Sequence, residues 1–513
     1  MGRVHGTTAV STLTHPDLHV TRTQAEAKTR SMTLITGVSP HRTMGVHNGD
    51  IDTLACALLE RMYYCKVGDR YEPAPAVSYR AVKEQLGEFG SRVVGHLRAT
   101  PATPAELLAM YTGRKRTIYE NAYDSLCSSP LTKADALIKA FVKVEKANVA
   151  KAPRCIQPRD PRYNFRVGQY IKPLEHRLYR RIAKVFGDGP TVMKGYTVEG
   201  VARILRGKWD SFADPVAIGL DATKFDMHVS EAMLRWEHSL YEAIYPGHRN
   251  LGEMLRWQRH NKGVGYTENG KLRYHVRGKR ASGDMNTALG NCLIMCGLVW
   301  EYSRQRGVNT KLANNGDDCV VFMERADLEK FAAGLDEWFL EMGFRMTVEE
   351  PVGEFEQIEF CQMRPITTQR GWVMVRNIPT ALRKDALCTM SLDGKSARKW
   401  LGAVGECGLA LCAGVPVLQE LYSAYCREGD RSGKMANAMQ LNTGLSRMRG
   451  EMESKWLPVT DAARLSVFVA WGITPDEQVA LEHHYSAWSF DPSLDEQTQD
   501  VIPTVLDGFC LSW

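Results

Sequence analysis

The sequence predicts an α+β protein, in which strands and helices follow one another without regular alternation. Three segments carry this prediction. A short apolar strand, residues 215–220, ends at Asp221; a long apolar helix covers residues 285–302; and a tight hairpin joins residues 310–314 to residues 319–323. Strand, helices, hairpin and helix in this order are typical of an α+β domain rather than of a doubly wound one.

Size and composition indicate a soluble, folded chain of several subdomains. Its 513 residues exceed one ordinary core, and 44% hydrophobic with 24% charged residues exclude disorder of the whole chain. The first residues lack the apolar segment of a secretory signal. Residues 401–418 are apolar but contain Glu406 and Pro416, so we expect a buried helix rather than a membrane span. The 13 scattered cysteines contain no CxxC pair, which predicts free thiols in a reducing compartment.

The first part of the chain is predicted to be mostly helical after a polar lead. Residues 1–30 show little periodicity and predict a flexible lead or an extended arm. Apolar residues at helical spacing predict helices at residues 50–65, 105–112 and 118–126, with proline-containing loops at residues 72–77 and 100–104.

The rest of the chain continues the mixed pattern. We expect a helix at residues 230–245, then a hairpin of residues 264–268 and 272–276 around Asn269 and Gly270. After the second hairpin, residues 328–342 predict one amphipathic helix that Gly343 ends. From about residue 366 the chain is predicted to be mainly helical.

Carboxylates lie at the ends of two of the predicted strands. Asp221 ends the first strand, Asp226 follows it, and Asp317 and Asp318 occupy the hairpin tip after Gly316. Adjacent carboxylates at an apolar tip repel each other unless a cation lies between them, and Mg²⁺ prefers such ligands. We therefore predict that Asp221, Asp317 and Asp318 hold two metal ions about 3.5–4 Å apart. A Gly-Asp-Asp sequence alone is also a common surface turn, but the apolar strand that leaves this one favours the metal site.

The segment between the two carboxylate sites carries groups that could recognise a ribose. Ser282 lies in a predicted loop, and Thr287 and Asn291 are four residues apart, so they share one face of a helix. Two hydroxyls and one amide could hydrogen-bond a 2′-hydroxyl. A polar helix start capped by Ser282 or Asp284 is the alternative, and the residues alone leave both interpretations open.

Basic charge is concentrated in residues 139–184. They contain 13 Lys or Arg against three acidic residues, a local charge of +10 in a chain whose net charge is +6. Pro153 and Pro158 predict extended strands or loops, which would present cations to the phosphates of a nucleoside triphosphate or a template. A solvated charged surface is the usual alternative. Tyr163 and Phe165 could add base stacking, although core packing is expected for both.

Taken in order, these segments resemble the motif series of viral RNA-dependent RNA polymerases, and look closest to the replicases of the tombusvirus family of positive-strand plant viruses. The basic finger motif of that family resembles residues 141–159. The first palm motif is similar to GLDATKFD at residues 219–226, the second to SGDMNTALGN at residues 282–291, and the third to GDD at residues 316–318. A primer-grip motif resembles IEFCQ at residues 358–362.

The resemblance implies a closed right-hand polymerase with an antiparallel palm sheet. Two Mg²⁺ or Mn²⁺ ions would be bound by Asp221 and Asp318, with support from Asp317. The residues implied in ribose and nucleotide selection are Asp226, Ser282, Thr287 and Asn291. The residues implied in triphosphate or template binding are Lys143, Lys151, Arg154 and Arg159. Arg345 matches a position where many such enzymes place a lysine as general acid; an arginine there could only stabilise charge.

The same resemblance implies a domain order and partners. Residues 1–100 would be an N-terminal extension that bridges fingers and thumb. The fingers would comprise residues 101–211 and 232–275, the palm residues 212–231 and 276–365, and the thumb residues 366–513. The implied function is replication of a positive-strand viral RNA genome with primer-independent initiation. Its partners would be single-stranded RNA, nucleoside triphosphates and a membrane-anchored viral replication protein, in membrane-associated complexes of the host cytoplasm. No transmembrane segment is predicted in the chain itself.

Other functions fit parts of this pattern. A reverse transcriptase or nuclease would also use paired metals, an RNA-binding subunit would need only the basic segment, and a scaffold protein would use the helical C-terminal third. Gly316 before the aspartate pair favours an RNA polymerase over a reverse transcriptase, and neither a binding module nor a scaffold needs the ribose-recognising set. A Walker-type ATPase is excluded because Thr389 occupies the position of the first glycine of that loop.

Overall fold

Strands and helices are interleaved along the chain, whose computed structural model describes residues 1–39, 44–431 and 444–493. The strands are β1 (Gly2–His5), β2 (Leu18–Arg22), β3 (Ser31–Leu34), β4 (Cys65–Val67), β5 (Arg70–Glu72), β6 (Ile138–Val142), β7 (Cys155–Ile156), β8 (Pro215–Ala222), β9 (His260–Thr267), β10 (Gly270–Arg277), β11 (Lys311–Asn315), β12 (Asp318–Glu324), β13 (Met346–Val348), β14 (Met363–Thr368), β15 (Gly371–Arg376) and β16 (Leu387–Cys388). The helices are α1 (Ile51–Leu58), α2 (Tyr79–Val94), α3 (Pro104–Ala109), α4 (Gly113–Ser128), α5 (Pro161–Ile171), α6 (Glu175–Phe186), α7 (Val198–Trp209), α8 (Phe225–His228), α9 (Glu231–Ile244), α10 (Arg249–Trp257), α11 (Thr287–Arg306), α12 (Leu328–Ala332), α13 (Leu335–Glu341), α14 (Ile378–Asp385), α15 (Gly394–Cys412), α16 (Leu418–Glu428), α17 (Leu445–Arg449), α18 (Asp461–Trp471) and α19 (Pro475–Ala487).

The central sheet is antiparallel, with the strand order β11-β12-β8-β13. Its residues alternate between two hydrophobic cores, because successive side chains of a strand point to opposite faces. Ile218 and Val321 belong to one core, which contains residues of α2, α6, α9 and α11. Ala217 and Phe322 belong to the other, which contains residues of α7, α15, α16 and the β14–β15 hairpin. The sheet is therefore covered on both faces, and its polar groups are confined to its ends.

A second sheet has the strand order β2-β10-β9-β6-β7. Its β6 and β9 are parallel, and the other pairs are antiparallel. One face packs on α1, where Leu54 and Leu58 contact a core that includes Ile138 and Leu272. The π-helical turn Leu59–Tyr63 extends α1 toward the central sheet.

The N-terminal segment is an extended arm that pairs with distant parts of the chain. Strand β2 adds to β10 in the second sheet, whereas β1 and β3 form a separate antiparallel sheet with β16. The backbone of Arg3 pairs with Thr33, and Thr33 in turn pairs with Cys388. The arm thus connects the second sheet to the C-terminal third, which confirms the extended alternative for residues 1–30.

Most predicted elements are present, and antiparallel sheets with interleaved helices fit the α+β expectation. The helix predicted at residues 328–342 is wrong as a single element. Gly334, with φ of +72°, divides it into α12 and α13. The extended structure predicted for the whole basic segment is also wrong beyond residue 160. Asp160 caps and Pro161 begins α5 there, since proline is favoured in the first turn of a helix.

In the C-terminal third, one element was not predicted and the prediction of a buried helix is confirmed. The hairpin β14–β15 was not predicted, although the remainder is mainly helical as expected. Within the described residues no helix is long and apolar enough to cross a bilayer. Residues 401–412 lie in α15, whose Leu401, Val404 and Leu411 are buried in the protein core, as predicted. The cysteines of the described part of the chain are free.

Candidate active site

Two carboxylates face each other at one end of the central sheet. Asp221 lies near the end of β8, Asp318 begins β12, and the register of the two strands makes them direct partners. Opposed residues of antiparallel strands have Cβ atoms about 4.5–5.5 Å apart and point to the same face. The strand pairing therefore brings the first and third predicted motifs together.

The turn between β11 and β12 adds Asp317 to the same edge. Gly316 has φ of +83°, a conformation that is unfavourable for residues with a side chain. The buried Asn314 side chain closes the turn, since its amide donates to the Gly316 carbonyl at 2.7 Å and its oxygen accepts from the Gly316 N–H at 3.2 Å. Asp317 is exposed beyond this fixed turn.

A third segment contacts the carboxylates. The backbone N–H of Cys361 donates a 2.8 Å hydrogen bond to Oδ2 of Asp318. Cys361 and Gln362 have φ of 54° and 60°, a strained conformation for residues other than glycine. The strain is located where the backbone directs an amide at a carboxylate. The resemblance of residues 358–362 to the primer-grip motif predicts this segment but not this contact.

Burial, and then mutual repulsion, raises the pKa values of three carboxylates at this edge. The pKa of Asp318 is raised to about 6, mainly by burial and also by the charges of Asp317, Glu349 and Asp221, whereas the Cys361 N–H favours the charged form. Burial and Asp317 also raise the pKa of Asp221. Glu349 behaves likewise, because burial, Glu359 and Asp221 all raise its pKa. Arg364 pairs with Glu359 and lowers the pKa of Glu349, whereas among the described residues no cation forms an ion pair with Asp221, Asp317 or Asp318.

The donor chemistry of this edge fits a divalent cation. Within the described ranges no three Asp, Glu, His or Cys side chains form a ready-made ligand cluster. Asp221, Asp317 and Asp318 nevertheless supply oxygen donors of the kind that Mg²⁺ and Mn²⁺ prefer, on adjoining backbone positions. A cation would reduce the mutual repulsion that, in addition to burial, raises the pKa values of Asp221 and Asp318.

A cavity of about 460 Å³ opens in front of the carboxylates. This volume is in the range of small-molecule sites. The residues that line it and come from the predicted motifs include Arg154, Asp221, Asp226, Ser282, Asp317 and Gln362. The cavity thus joins the basic segment, all three palm-like motifs and the later segment, which are far apart in sequence.

The residues predicted to recognise a ribose are only partly brought together. Asn291 donates from Nδ2 to Oδ1 of Asp226 at 3.0 Å. Burial raises the pKa of Asp226 to about 6, although Asn291 and Arg280 favour its charged form. Ser282 is exposed and lines the cavity, and its hydroxyl accepts from the Gln157 N–H at 3.2 Å. Thr287 begins α11 and donates to the Ala281 carbonyl at 2.8 Å, which holds the loop before the helix.

A buried ion pair behind the cavity orients Asn291. Arg280 and Glu237 are both fully buried, with 2.5 Å between Nη2 and Oε2. Arg280 also donates from Nε to Oδ1 of Asn291 at 2.9 Å. Burial opposes ionisation of Glu237, but Arg280 more than offsets this and leaves its pKa below the usual value. Tyr241 and Asn286 donate to the same carboxylate. The amide of Asn291 is therefore fixed from both sides, by Arg280 and by Asp226.

The four basic residues predicted to bind phosphate occupy three different environments. Lys143 and Arg154 lie on either side of Glu145, at 2.6 Å and 3.3 Å, and Arg154 lines the cavity. Lys151 is exposed and lines another cavity, of about 590 Å³, together with Cys361 and Gln362. Gln362 lines both cavities, so they adjoin at this residue.

Arg159 is buried rather than exposed to the cavity. Its guanidinium pairs with Asp284, donates to Oδ1 of Asn261 at 2.6 Å and donates to the Ala136 carbonyl at 2.7 Å. It therefore ties the basic segment to the loop of the second motif. Tyr163 and Phe165 are fully buried, which confirms core packing for both.

At Gly283 the loop of the second motif also contacts the basic segment, through close backbone packing. A Cβ there would lie 2.6 Å from Cα of Pro158 and 2.7 Å from the Gln157 carbonyl oxygen. We expect Gly283→Ala to destabilise the fold by about 1–3 kcal/mol, because neither backbone atom can move without the basic segment. Gly87→Ala is the matched control: its Cβ would meet nothing within 4 Å in the helix α2, so a gain of up to about 1 kcal/mol is expected. Urea unfolding measures both, and equal stability of the two variants would contradict the close contact.

Arg345 is held away from the cavity. Its Nη2 donates to Glu72 at 2.8 Å and to the Pro73 carbonyl at 3.2 Å. Its own carbonyl accepts at 3.0 Å from the N–H of Thr223, which is two residues after Asp221. In this structure its side chain joins the loop after β5 to the central sheet.

Arg61, Lys224 and Gln362 are among the cavity residues that were not predicted from sequence as site residues. Arg61, in the π-helical turn after α1, faces the cavity near Arg154 and donates to the Ala152 carbonyl at 3.0 Å. Lys224 has φ of 48° and donates to the Glu60 carbonyl. Gln362 follows Cys361. Lys224 and Gln362 belong to sequence motifs described above, so their position in a motif could have identified them. No sequence feature points to Arg61, because its segment predicts only an apolar helix.

Comparison with known proteins adds a family relationship. Residues 18–493 match the family model described as viral RNA dependent RNA polymerase. The chain is 39% identical over 502 residues to the RNA-directed RNA polymerase of Maize chlorotic mottle virus, covering 96% of this chain and 51% of that protein. It is 40% identical over 504 residues to the corresponding protein of Tobacco necrosis virus, covering 97% and 68%. For Tomato bushy stunt virus the values are 39% over 489 residues, covering 94% and 59%. This chain thus spans about half to two thirds of the length of these relatives.

Proposed function

The chain belongs to the viral RNA-dependent RNA polymerase family, and from this premise we propose that it copies RNA from an RNA template by transferring nucleotides from nucleoside triphosphates. The observation that carries the proposal is the direct pairing of Asp221 with Asp318 at the edge of a cavity of about 460 Å³. Neither an RNA-binding subunit nor a scaffold protein gains anything from uncompensated carboxylates at such a place.

We propose that Asp221 and Asp318, supported by Asp317, hold two Mg²⁺ or Mn²⁺ ions. When bound, the ions would promote loss of the proton of the attacking 3′-hydroxyl and stabilise the leaving phosphate oxygen. The chain itself positions the acceptors: the Cys361 N–H orients Asp318, and the Asn314 turn orients Asp317. Carboxylates that are already oriented need not reorganise during the reaction. Such positioning is the main contribution of a protein to phosphoryl transfer.

The other cavity residues are assigned by chemistry. Arg154 and Arg61 face the cavity and suit the triphosphate, and Lys143 is held beside Arg154 by their shared Glu145. Lys151 lines the cavity of about 590 Å³ together with Gln362 and suits a phosphate of the RNA strand. Arg159 is buried, so we assign it a positioning role through its ion pair with Asp284. The side chain of Arg345 binds Glu72, so we assign it a positioning role at the end of the central sheet rather than a contact with substrate. Ser282, Asp226 and Asn291 are assigned to ribose selection, with Thr287 as support for their loop.

We further propose a right-hand arrangement. The central sheet lies in the proposed palm, residues 212–231 and 276–365; the second sheet lies mostly in the fingers, residues 101–211 and 232–275; and the thumb comprises residues 366–513, of which residues 432–443 and 494–513 are outside the described part. Within residues 1–100, β2 pairs with β10 and β3 pairs with β16, which supports the role of this region as a bridge between fingers and thumb.

The wider biological role follows from the family. We propose replication of the positive-strand genome of a plant virus, with initiation that needs no primer. In keeping with the family resemblance, we propose that the chain acts with a membrane-anchored viral replication protein in membrane-associated complexes of the host cytoplasm.

The test is incorporation of a labelled ribonucleotide on a short single-stranded RNA template, with Mg²⁺ or Mn²⁺. Product growth that depends on the template supports the proposal, and product formed without added primer supports the initiation mode. Preference for deoxynucleotides would instead indicate a reverse transcriptase, and shortening of the RNA would indicate a nuclease. Folded protein that binds RNA and makes no product would favour an RNA-binding subunit.

Substitution of Asn291 tests ribose selection. Asn291→Ala removes the amide that is fixed between Arg280 and Asp226. We expect the preference for ribonucleotides over deoxynucleotides to fall by about 1–3 kcal/mol, or roughly 5- to 150-fold, because the ribose hydroxyl loses its partner. The ratio of kcat/KM for the two sugars measures this, and a general loss of activity leaves that ratio unchanged. An unchanged ratio would contradict the assignment.

A further inference from the structure

One face of the second sheet is exposed, and no helix in the described part of the chain packs over it. In β10 the residues Leu272, Tyr274 and Val276 are buried, and the residues between them are exposed. The same alternation occurs in β6 and through most of β9. Since α1 packs on the buried side, the exposed side chains form a continuous face of at least three adjacent strands.

This open face is strongly basic. The outward positions of β6, β9 and β10 contain five cations and no carboxylate: Lys139, Lys262, Lys271, Arg273 and Arg277. Arg277 pairs with Glu231 of α9. Among the described residues no carboxylate lies within ion-pair distance of the other four, so their charge is available to a partner.

Two exposed aromatic side chains lie among the cations at one edge of this face. Tyr266 is 68% exposed and Phe141 is 48% exposed, although both belong to sheet strands. Tyr266 is the register partner of Lys271 in β10, and the parallel pairing of Ala140 with Gly265 puts Phe141 next to Tyr266. Two exposed rings therefore lie side by side and adjacent to a cation.

A separate cavity adjoins the other edge. It has a volume of about 420 Å³ and is lined by Trp257, His260, Lys262 and Lys133 among others. An aromatic wall with two lysines can hold a base and its phosphate. None of these residues lines the cavity at the carboxylates.

We propose that the open face of the second sheet binds single-stranded RNA outside the candidate active site. The cations contact phosphates, Tyr266 and Phe141 stack on bases, and the Trp257 cavity accepts a further base. A sheet face with cations and exposed rings binds single strands because every unpaired base has a free π-face. An acidic membrane surface would contact the cations alone and would leave the rings and the cavity without a role. The inference rests on the proposed function only in taking RNA as the substrate.

The test measures RNA affinity without catalysis. Full-length chain carrying Asp318→Asn, without nucleotides, is titrated into a labelled 20-nucleotide single-stranded RNA, and fluorescence anisotropy is followed at several salt concentrations. The double variant Lys271→Gln/Arg273→Gln removes two phosphate contacts. Its slope of log affinity against log salt should fall by about 1.4, and its affinity at 0.1 M salt by about 25-fold. The control Lys83→Gln/Lys395→Gln removes the same charge from exposed positions outside the sheet and should change neither value.

The aromatic contribution is tested with Tyr266→Thr, which keeps a good strand residue at an exposed position. Affinity for single-stranded RNA should fall about fivefold or more, whereas affinity for a double-stranded RNA of equal length, whose bases are already stacked, should not change. Both sheet variants should melt at the wild-type temperature, because none of the replaced side chains is buried.

Unchanged affinity and salt slope in the Lys271→Gln/Arg273→Gln variant would overturn the inference, and so would an equal loss in its control. If that variant bound RNA normally but no longer bound phosphatidylserine vesicles, the face would be a membrane surface instead. The proposed function fails separately. If no nucleotide is incorporated by the unmodified chain while the RNA affinities follow the expected pattern, the binding face stands and the polymerase assignment does not.

Discussion

Asp318→Asn is expected to reduce ribonucleotide incorporation by a factor on the order of 10³ or more, since metal coordination at a phosphoryl-transfer site is worth several kcal/mol. The substitution removes one charged ligand and little else. The amide oxygen of asparagine can still accept the hydrogen bond from the Cys361 N–H. The loss of a charge next to Asp317, Glu349 and Asp221 relieves repulsion, so the variant should melt at or above the wild-type temperature at neutral pH.

Initial rates on the short RNA template and thermal melting measure the two effects together. Asp69→Asn, an identical change at an exposed position in the turn between β4 and β5, serves as the control and should change neither. Activity of Asp318→Asn within tenfold of wild type would show that Asp318 is not a metal ligand. Lower activity accompanied by a lower melting temperature would point to a structural carboxylate instead.

Glu237→Ala is expected to give the largest loss of stability, about 3–5 kcal/mol in the free energy of unfolding. Both members of the pair are fully buried, so Arg280 would keep a buried charge with no counter-charge. Tyr241 and Asn286 would lose their acceptor as well. Urea unfolding measures the loss. Glu242→Ala, in the same helix α9 but exposed, is the matched control and should change stability by well under 1 kcal/mol.

A double variant separates stability from ribose selection. Glu237→Leu/Arg280→Met replaces the pair with apolar side chains, which should restore much of the stability. It also removes the Nε donor that fixes Asn291, so discrimination between ribonucleotides and deoxynucleotides should remain impaired. A Glu237→Ala variant within 1 kcal/mol of wild type would refute the cost of the unpaired charge. Normal discrimination in the double variant would refute the orienting role of Arg280.

The family and the polymerase-like motif order could be predicted from sequence, and the comparisons confirm the resemblance to tombusvirus-family replicases. Periodicity also predicted the strand at Asp221, both hairpins and the long helix α11. These predictions hold because each depends on local pattern: alternation in strands, apolar spacing in helices and Gly or Asn in turns. The division at Gly334 was missed because apolar spacing continued across the glycine.

The contacts between motifs could not be predicted. Arg159 looked like a phosphate ligand because it belongs to a basic run, whereas its burial against Asp284 depends on how two distant segments pack. The roles of Asn314 and Cys361 depend on backbone geometry that residue type does not specify. The open basic face of the second sheet likewise needs the register of β6, β9 and β10, because sequence alone does not say which side α1 covers.

The small sheet β1-β3-β16 has a consequence for how the chain is made. Leu34 of β3 pairs with Leu387, which a ribosome adds about 350 residues later. At the usual rate of synthesis, this interval lasts roughly 20–70 s. During that time one edge of β3 offers unpaired N–H and C=O groups to any strand nearby. This sheet therefore cannot be completed until about three quarters of the chain has been synthesised, and protection of the nascent arm becomes a condition for a correctly folded product.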